Sequence, residues 1–471
     1  MTDQTTVREE FNTGRVVLLA VVAALGGFLF GFDTAVINGT VVAVREQFGM
    51  GAGLTGFVVS SALLGCIAGA YLAGRLADRW GRIRVMVLAA VLFTVSALGS
   101  GLAFGPWDLI LWRVVGGLGV GAASVIAPAY IAEISPASIR GRLGSLQQLA
   151  IVTGIFIALL SDAFLAGVAG GAAEPLWFGQ EAWRWMFWTE LIPAVAYGVL
   201  ALQIPESPRY LVAKGRHDEA HAVLSQVLTT GVRERIHEIR QTLREERRTT
   251  FADLRKPGGG LLPIVWIGIA LSVFQQFVGI NVIFYYSSSL WQSVGFTEAD
   301  ALTQTVITSV TNIVVTIVAI ALIDRIGRRK LLLIGSAGMF LTLGVLAVVF
   351  GTADLVENAD GVLEPVLGDT QGVIALLAAN GFVVFFGMSW GPAVWVLLGE
   401  MFNNRIRGTA LGLAAAAQWL ANFAISTTFP KMAEIGLSFA YGFYTTFALL
   451  SFLFVLRFVP ETKGRQLEDM A

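Results

Sequence analysis

The sequence predicts an all-α polytopic membrane protein, with twelve transmembrane helices in two six-helix bundles. Three observations predict it: a composition too apolar for water, twelve apolar stretches of spanning length, and landmarks that recur in the same order in both halves. Of the 471 residues, 55% are hydrophobic and 14% charged, and the mean hydropathy is +0.71. A water-soluble globular chain would carry about a quarter charged residues. That excludes a disordered chain and an ordinary soluble enzyme. A formal net charge of −1 gives no reason to expect a nucleic-acid partner. A single cysteine, Cys66, leaves no internal disulfide and no cysteine-built metal site. His217, His221 and His237 share one polar stretch and read as solvated surface residues, so neither a metal nor a cofactor is expected.

A helix needs roughly 20 mostly apolar residues to cross about 30 Å of hydrocarbon. Such stretches fall at about 16–41, 56–76, 84–104, 109–132, 143–166, 184–204, 262–290, 302–323, 331–350, 372–398, 409–429 and 436–458. The first is too long for a signal-peptide core and lacks a small-residue cleavage site behind it, so it reads as a retained helix. Backbone groups find no water in hydrocarbon, so every span must close its own hydrogen bonds as a helix. The 53 glycines suit close helix packing in lipid. Cations set the orientation. With the N-terminus inside, 28 of the 32 Lys and Arg fall in cytoplasmic segments; Arg45, Arg184 and Lys431 lie outside and Arg113 lies within a span. Both termini are therefore expected in the cytoplasm, with the chain multi-pass in the cell inner membrane.

The organisation read from the sequence is an N-terminal bundle over 1–204, a cytoplasmic linker over 205–260, and a C-terminal bundle with a short tail over 261–471. In the linker, Ala220, Val223, Leu224 and Val227 are spaced as on a helix, and Lys256-Pro257-Gly258-Gly259-Gly260 breaks the chain before span seven. Asp78-Arg79-Trp80-Gly81-Arg82 after span two matches Asp324-Arg325-Ile326-Gly327-Arg328 after span eight. Glu133 with Arg140-Gly141 matches Glu400 with Arg407-Gly408, and Pro205-Glu206-Ser207 matches Pro460-Glu461-Thr462. Duplicated halves of like orientation are the layout of a secondary transporter with its site between them.

These motifs also carry a resemblance. Gly31-Phe32-Asp33-Thr34-Ala35-Val36-Ile37, the two Asp-Arg-x-Gly-Arg loops, Pro205-Glu206-Ser207-Pro208-Arg209, Gln275-Gln276-Phe277-Val278-Gly279-Ile280-Asn281 and Gly391-Pro392 with Trp395 stand in order along the chain. Over almost its whole length the sequence resembles the sugar porter family of the major facilitator superfamily, and it looks most like the bacterial proton-coupled symporters for xylose and glucose. The resemblance implies the major facilitator fold, a monomer, and symport of a monosaccharide (hexose or pentose) with a proton by alternating access. The alternatives are a proton-independent sugar facilitator and a sugar-sensing receptor. The short tail after Arg457 argues against the receptor. An enzyme is not expected, since no nucleotide-binding loop is present and every histidine lies in the linker.

Charge inside the membrane comes first. Asp33 lies about 17 residues past the inner start of span one, roughly 26 Å deep, and Arg113 sits roughly 10 Å in from the outer end of span four. The depths are compatible, and a lone charge in a bilayer is costly enough that pairing is expected. The pair is either a static structural bridge or a proton switch; in the family, an aspartate here goes with proton symport, and Arg113 matches its partner. Amides come second, because Gln and Asn both donate and accept, as sugar hydroxyls do. The candidates are Gln148, Gln275, Gln276, Asn281, Asn312 and Gln418, the first four of which match the family's sugar ligands. Gly279 allows span seven to unwind between them. Trp390, just before Gly391-Pro392, is read as the stacking indole, and Phe30, Tyr285 and Trp419 as walls or gates. At the inner ends, Arg82, Glu133, Arg140, Glu206, Asp324, Arg328, Glu400 and Arg407 resemble the family's inner lock, expected to tie the halves together when the outside is open.

Overall fold

A computed structural model describes residues 10–136, 139–245, 251–256, 259–357, 363–402 and 406–461. Helices occupy all twelve expected spans. Thr13–Ala35 and Ile37–Gln47 form span one, Ala52–Trp80 span two, Arg82–Gly101 span three, Pro106–Ile134 span four and Arg140–Ala169 span five. Span six is Ala182–Thr189 with Leu191–Ala201. Pro263–Phe277 with Ile280–Gln292 is span seven, Glu298–Ile326 span eight and Arg328–Gly351 span nine. Asp369–Phe385 with Gly391–Met401 makes span ten, Arg407–Ile435 span eleven and Leu437–Phe458 span twelve. Ten of these stretches are long and apolar enough to cross a membrane by length and composition. Span six falls short because it is divided at Glu190. Span eleven is less apolar because it carries Gln418, Asn422, Ser426, Thr427 and Thr428.

Four spans are interrupted, span six at Glu190 among them. In span one two helices meet at Val36, which keeps helical dihedrals (φ −57°, ψ −26°). Span seven breaks at Gly279, whose φ of 85° lies in the left-handed region that glycine enters freely. In span ten the irregularity is a π turn over Phe386–Trp390, one step before the Gly391-Pro392 pair. Pro392 has no N–H to offer the preceding turn, and the wider turn absorbs the lost bond.

Glycines set how closely helices approach. A Cβ on Gly31 would collide with the Ile151 carbonyl, and one on Gly154 with the Phe28 carbonyl, so spans one and five interlock backbone to backbone. Spans two and four do the same through Gly65, Gly69, Gly117 and Gly121. Such packing, rather than hydrophobic exclusion, holds helices together in lipid.

The linker forms three short helices, Pro208–Ala213, His217–Val227 and Val232–Glu245. Ala220, Val223, Leu224 and Val227 are all buried, as their spacing requires. The linker docks on the start of span one. Asn12 N–H donates to the Val227 carbonyl at 2.8 Å, Thr229 N–H to Glu10 at 2.9 Å, and Arg15 Nη2 to Gln226 Oε1 at 2.9 Å. The first described residues and the linker therefore share one face. One element was not foreseen: between spans nine and ten, Asp354–Glu357 and Leu363–Val366 pair as an antiparallel hairpin where the sequence reads as loop.

Candidate functional site

Asp33 and Arg113 meet. Both are about 1% exposed, deep between spans one and four. Arg113 Nη1 donates to the Asp33 backbone carbonyl at 2.8 Å and to Asp33 Oδ1 at 3.3 Å. The pair is only half satisfied, since Asp33 Oδ2 and Arg113 Nε are buried without a partner. Gly116 gives the carboxylate room, because a Cβ there would press on Ser96 and Asp33 Oδ1. A third ionisable side chain lies near them. Glu190, at the break in span six, is 1% exposed and feels the charges of both Asp33 and Arg113. It was not among the sequence candidates, although it is the one acid in the apolar stretch 184–204 and the rule that singled out Asp33 applies to it equally.

The candidate amides lie on spans five, seven, eight and eleven. Gln275 Nε2 donates to the carbonyls of Trp390 at 2.8 Å and Gly391 at 3.3 Å, which ties span seven to the π turn of span ten. Gln276 and Asn281 bond each other across the Gly279 break. Gln148 is half-buried, and its neighbour Gln147 packs on Gly27 of span one. Asn312 on span eight faces Gly387 in the π turn. Buried amide oxygens on Gln147, Gln275 and Gln418 have no donor. A buried acceptor without a donor is rare in folded proteins and calls for an explanation. Among the walls, Phe30 and Trp419 meet across the halves with ring centroids 5.8 Å apart. Near Tyr285 stands Asn422, an amide absent from the sequence candidates, whose Oδ1 accepts from Ser426 Oγ at 3.0 Å.

Trp390 is a correction. It is 0% exposed, and its Nε1 donates to the Leu332 carbonyl at 3.1 Å and to Ser336 Oγ at 2.9 Å, both on span nine. The indole is therefore locked into packing within the C-terminal half and offers no face for stacking. Trp395, five residues on, is 42% exposed.

At the linker face the two halves carry the same device. Gly81 and Gly327 sit at φ 98° and 96°, joining spans two and three and spans eight and nine. The next two amides open a helix and point at a carboxylate: Glu206 accepts Arg82 N–H and Ile83 N–H at 3.0 and 3.2 Å, and Glu461 accepts Arg328 N–H and Arg329 N–H at 3.1 and 3.2 Å. An anion at a helix N-terminus satisfies orphan amides and complements the helix dipole. Arg82 then binds Glu133 through both oxygens at 2.9 and 2.7 Å, and Arg328 binds Glu400 in the same way at 3.0 and 2.7 Å. These bidentate pairs each lie within one half, not across the halves as expected. Among the described residues, Arg140 Nη2 donates to the Ser135 carbonyl at 3.4 Å. The side chains of Asp324 and Arg407 lie outside the described residues. Glu461 was quoted only as a repeat landmark, yet it is the twin of Glu206.

Among the described residues, several hydrogen bonds join the halves at the face away from the linker. Asn38 on span one bonds span seven, Ser60 Oγ meets Thr427 Oγ1 at 2.6 Å, and Glu298 Oε1 accepts Ala172 N–H at 2.9 Å. The profile of a family described as "Sugar (and other) transporter" matches residues 19–471. The chain belongs to this sugar transporter family. A glucose transport protein of Synechocystis is 61% identical over 461 residues, covering 98% of this chain and 97% of that one. The D-xylose-proton symporter of Escherichia coli K12 is 38% identical, covering 98% and 96%. The solved inward-open conformation of the xylose transporter XylE from E. coli superposes with a TM-score of 0.82 at 37% identity, covering 97% of this chain and 99% of that one. This sugar transporter thus has the major facilitator fold, all-α but for the hairpin and with twelve spans, and it is a multi-pass membrane protein.

Proposed function

We propose that this chain is a proton-coupled monosaccharide symporter that carries sugar and a proton together into the cell by alternating access. The observation that carries it is the buried, half-satisfied pair of Asp33 and Arg113, which has a free carboxylate oxygen and Glu190 beside it. A static bridge would gain by filling those bonds; a switch needs them open. The relatives named for glucose transport and xylose-proton symport support the substrate class. The linker face is cytoplasmic on this reading, since 28 of the 32 cations lie on that side.

Sugar binds between the duplicated halves. Gln148, Gln275, Gln276 and Asn281 are its principal ligands, with Asn312 and Gln418 at the margin. The unpartnered oxygens of Gln147, Gln275 and Gln418 take hydroxyl donors from the sugar, which accounts for their burial without protein donors. Stacking passes from Trp390 to the open indole of Trp395. Replacing Trp395 by Ala raises the sugar KM about tenfold or more, on the order of a lost stacking contact of 1–2 kcal/mol. Trp390→Phe, which keeps the buried ring and loses only two hydrogen bonds, leaves KM within about threefold. Equal effects of the two would return the stacking role to Trp390.

The test of the function is proton movement. Adding glucose or xylose to lightly buffered, de-energised cells or proteoliposomes alkalinises the medium as sugar enters. A facilitator with the same fold would take up sugar without a pH change, and that result would refute the symport reading.

A further inference from the structure

Span five carries an acid that the symport cycle does not use. Asp162 lies seven residues before the end of Arg140–Ala169, about 10 Å below its outer end, and is fully buried. Its Oδ2 accepts the Gly39 N–H at 3.3 Å, and its Oδ1 is buried without a partner. The fit is tight, for a Cβ on Gly39 would come within 2.6 Å of the Asp162 side chain. Gly39 belongs to the outer helix of span one, Ile37–Gln47. The residue before it, Asn38, is 0% exposed and fastens that helix to the other half. Asn38 Nδ2 donates to the Phe284 carbonyl at 2.9 Å and to Ser287 Oγ at 3.0 Å; Ser288 N–H donates to Asn38 Oδ1 at 3.1 Å, and Ser288 Oγ to the Asn38 carbonyl. Asp162 therefore sits at the back of the segment that shuts the outer end.

No described charge answers this carboxylate. On span one and span four, Asp33 and Arg113 hold each other, and Glu190 of span six lies with them. On the outer helix of span one, Arg45 lies against Glu46. On span six, Arg184 is taken by Glu181 and by the carbonyls of Gly101 and Ala103. On span eight, Glu298 holds Ala172 N–H. Among the described residues, the Gly39 N–H is the hydrogen-bond donor to Asp162.

We propose that Asp162 is a second proton-binding residue, one that latches the outer helix of span one. It holds a proton while the outer end is shut, and returns it to the external solution when the helix swings away and water reaches the carboxylate. An ionised carboxylate with an empty oxygen is costly in hydrocarbon and well solvated in a water-filled vestibule, so opening and proton release go together. The proton enters and leaves on the same side and adds nothing to the charge carried per sugar. It makes outer opening sensitive to external pH independently of Asp33.

The inference rests on the alternating-access reading, and the test separates the two. Spin labels at Glu46→Cys and Lys431→Cys, in a Cys66→Ala background, report the distance across the outer end. In the Asp33→Asn variant, moving from mildly alkaline to mildly acidic medium lowers the outer-open fraction about tenfold. In Asp33→Asn with Asp162→Asn, it changes by less than about twofold, while added xylose or glucose still shifts the distance. A double variant that keeps the full pH response, or a single variant that shows none, overturns the proposal. A distance that responds to neither sugar nor pH in any variant instead defeats the alternating-access reading. Should Asp162→Asn fail to fold, Asp162→Ser in the same background gives the same comparison.

Discussion

Replacing Asp33 by Asn is expected to abolish sugar accumulation while sugar exchange across the membrane survives. A membrane potential of 100 mV moves one charge with about 2.3 kcal/mol, enough for an accumulation of about fortyfold. The variant should fall to a ratio near one. Its fold is expected to persist for a reason visible in the structure: the shorter of the two Arg113 bonds, at 2.8 Å, goes to the backbone carbonyl of residue 33, which asparagine keeps. The side-chain bond at 3.3 Å and the titratable oxygen are what change. Uptake of labelled sugar against a gradient, set beside counterflow in the same vesicles, checks this. Accumulation at the wild-type level by Asp33→Asn would remove Asp33 from coupling.

Gly154→Ala is expected to be the most damaging small substitution in span five. The added Cβ meets the Phe28 carbonyl, a backbone atom that cannot turn aside, and the reciprocal contact of Gly31 with Ile151 leaves span one no room to retreat. Overpacking of this kind costs about 1–3 kcal/mol, and it displaces the helix carrying Asp33 relative to the one carrying Gln148. Gly167→Ala, on the same span with open space around it, is the control. It should be neutral or slightly stabilising, since alanine is the better helix former. Thermal melting in detergent together with the uptake rate decides; equal behaviour of the two variants would show that the interlock carries no weight.

Much of this was legible in the residue order. The depth of Asp33 and Arg113 followed from counting residues, because rise per residue is fixed in a helix that must cross hydrocarbon. The linker helices followed from the spacing of Ala220, Val223, Leu224 and Val227, and the break in span seven from Gly279. Glu190 and Asp162 were equally legible, since each is an acid inside an apolar stretch, but the reading weighed the cations of each segment and passed over those acids. Other features were not available from order alone. Which indole of span ten is open depends on the turn between them, and nothing in Trp390-Gly391-Pro392 states that a π turn precedes the proline. The charged residues at the linker face can be listed from the sequence, yet whether they pair within a half or between halves is a matter of conformation. Glu461 acquires its meaning only when seen capping the helix after Gly327.

The wide turn in span ten also fixes what changes of length the chain tolerates there. A regular helix advances about 100° of rotation per residue, so the π turn sets the phase of everything beyond it. A π turn holds one residue more than an ordinary turn. Deleting one residue between Phe386 and Trp390 would restore a regular helix and leave Trp395 and Glu400 near their present bearings, with Glu400 still pointing at Arg328. The same deletion elsewhere in the span has no extra residue to remove and would rotate the rest of it by that angle.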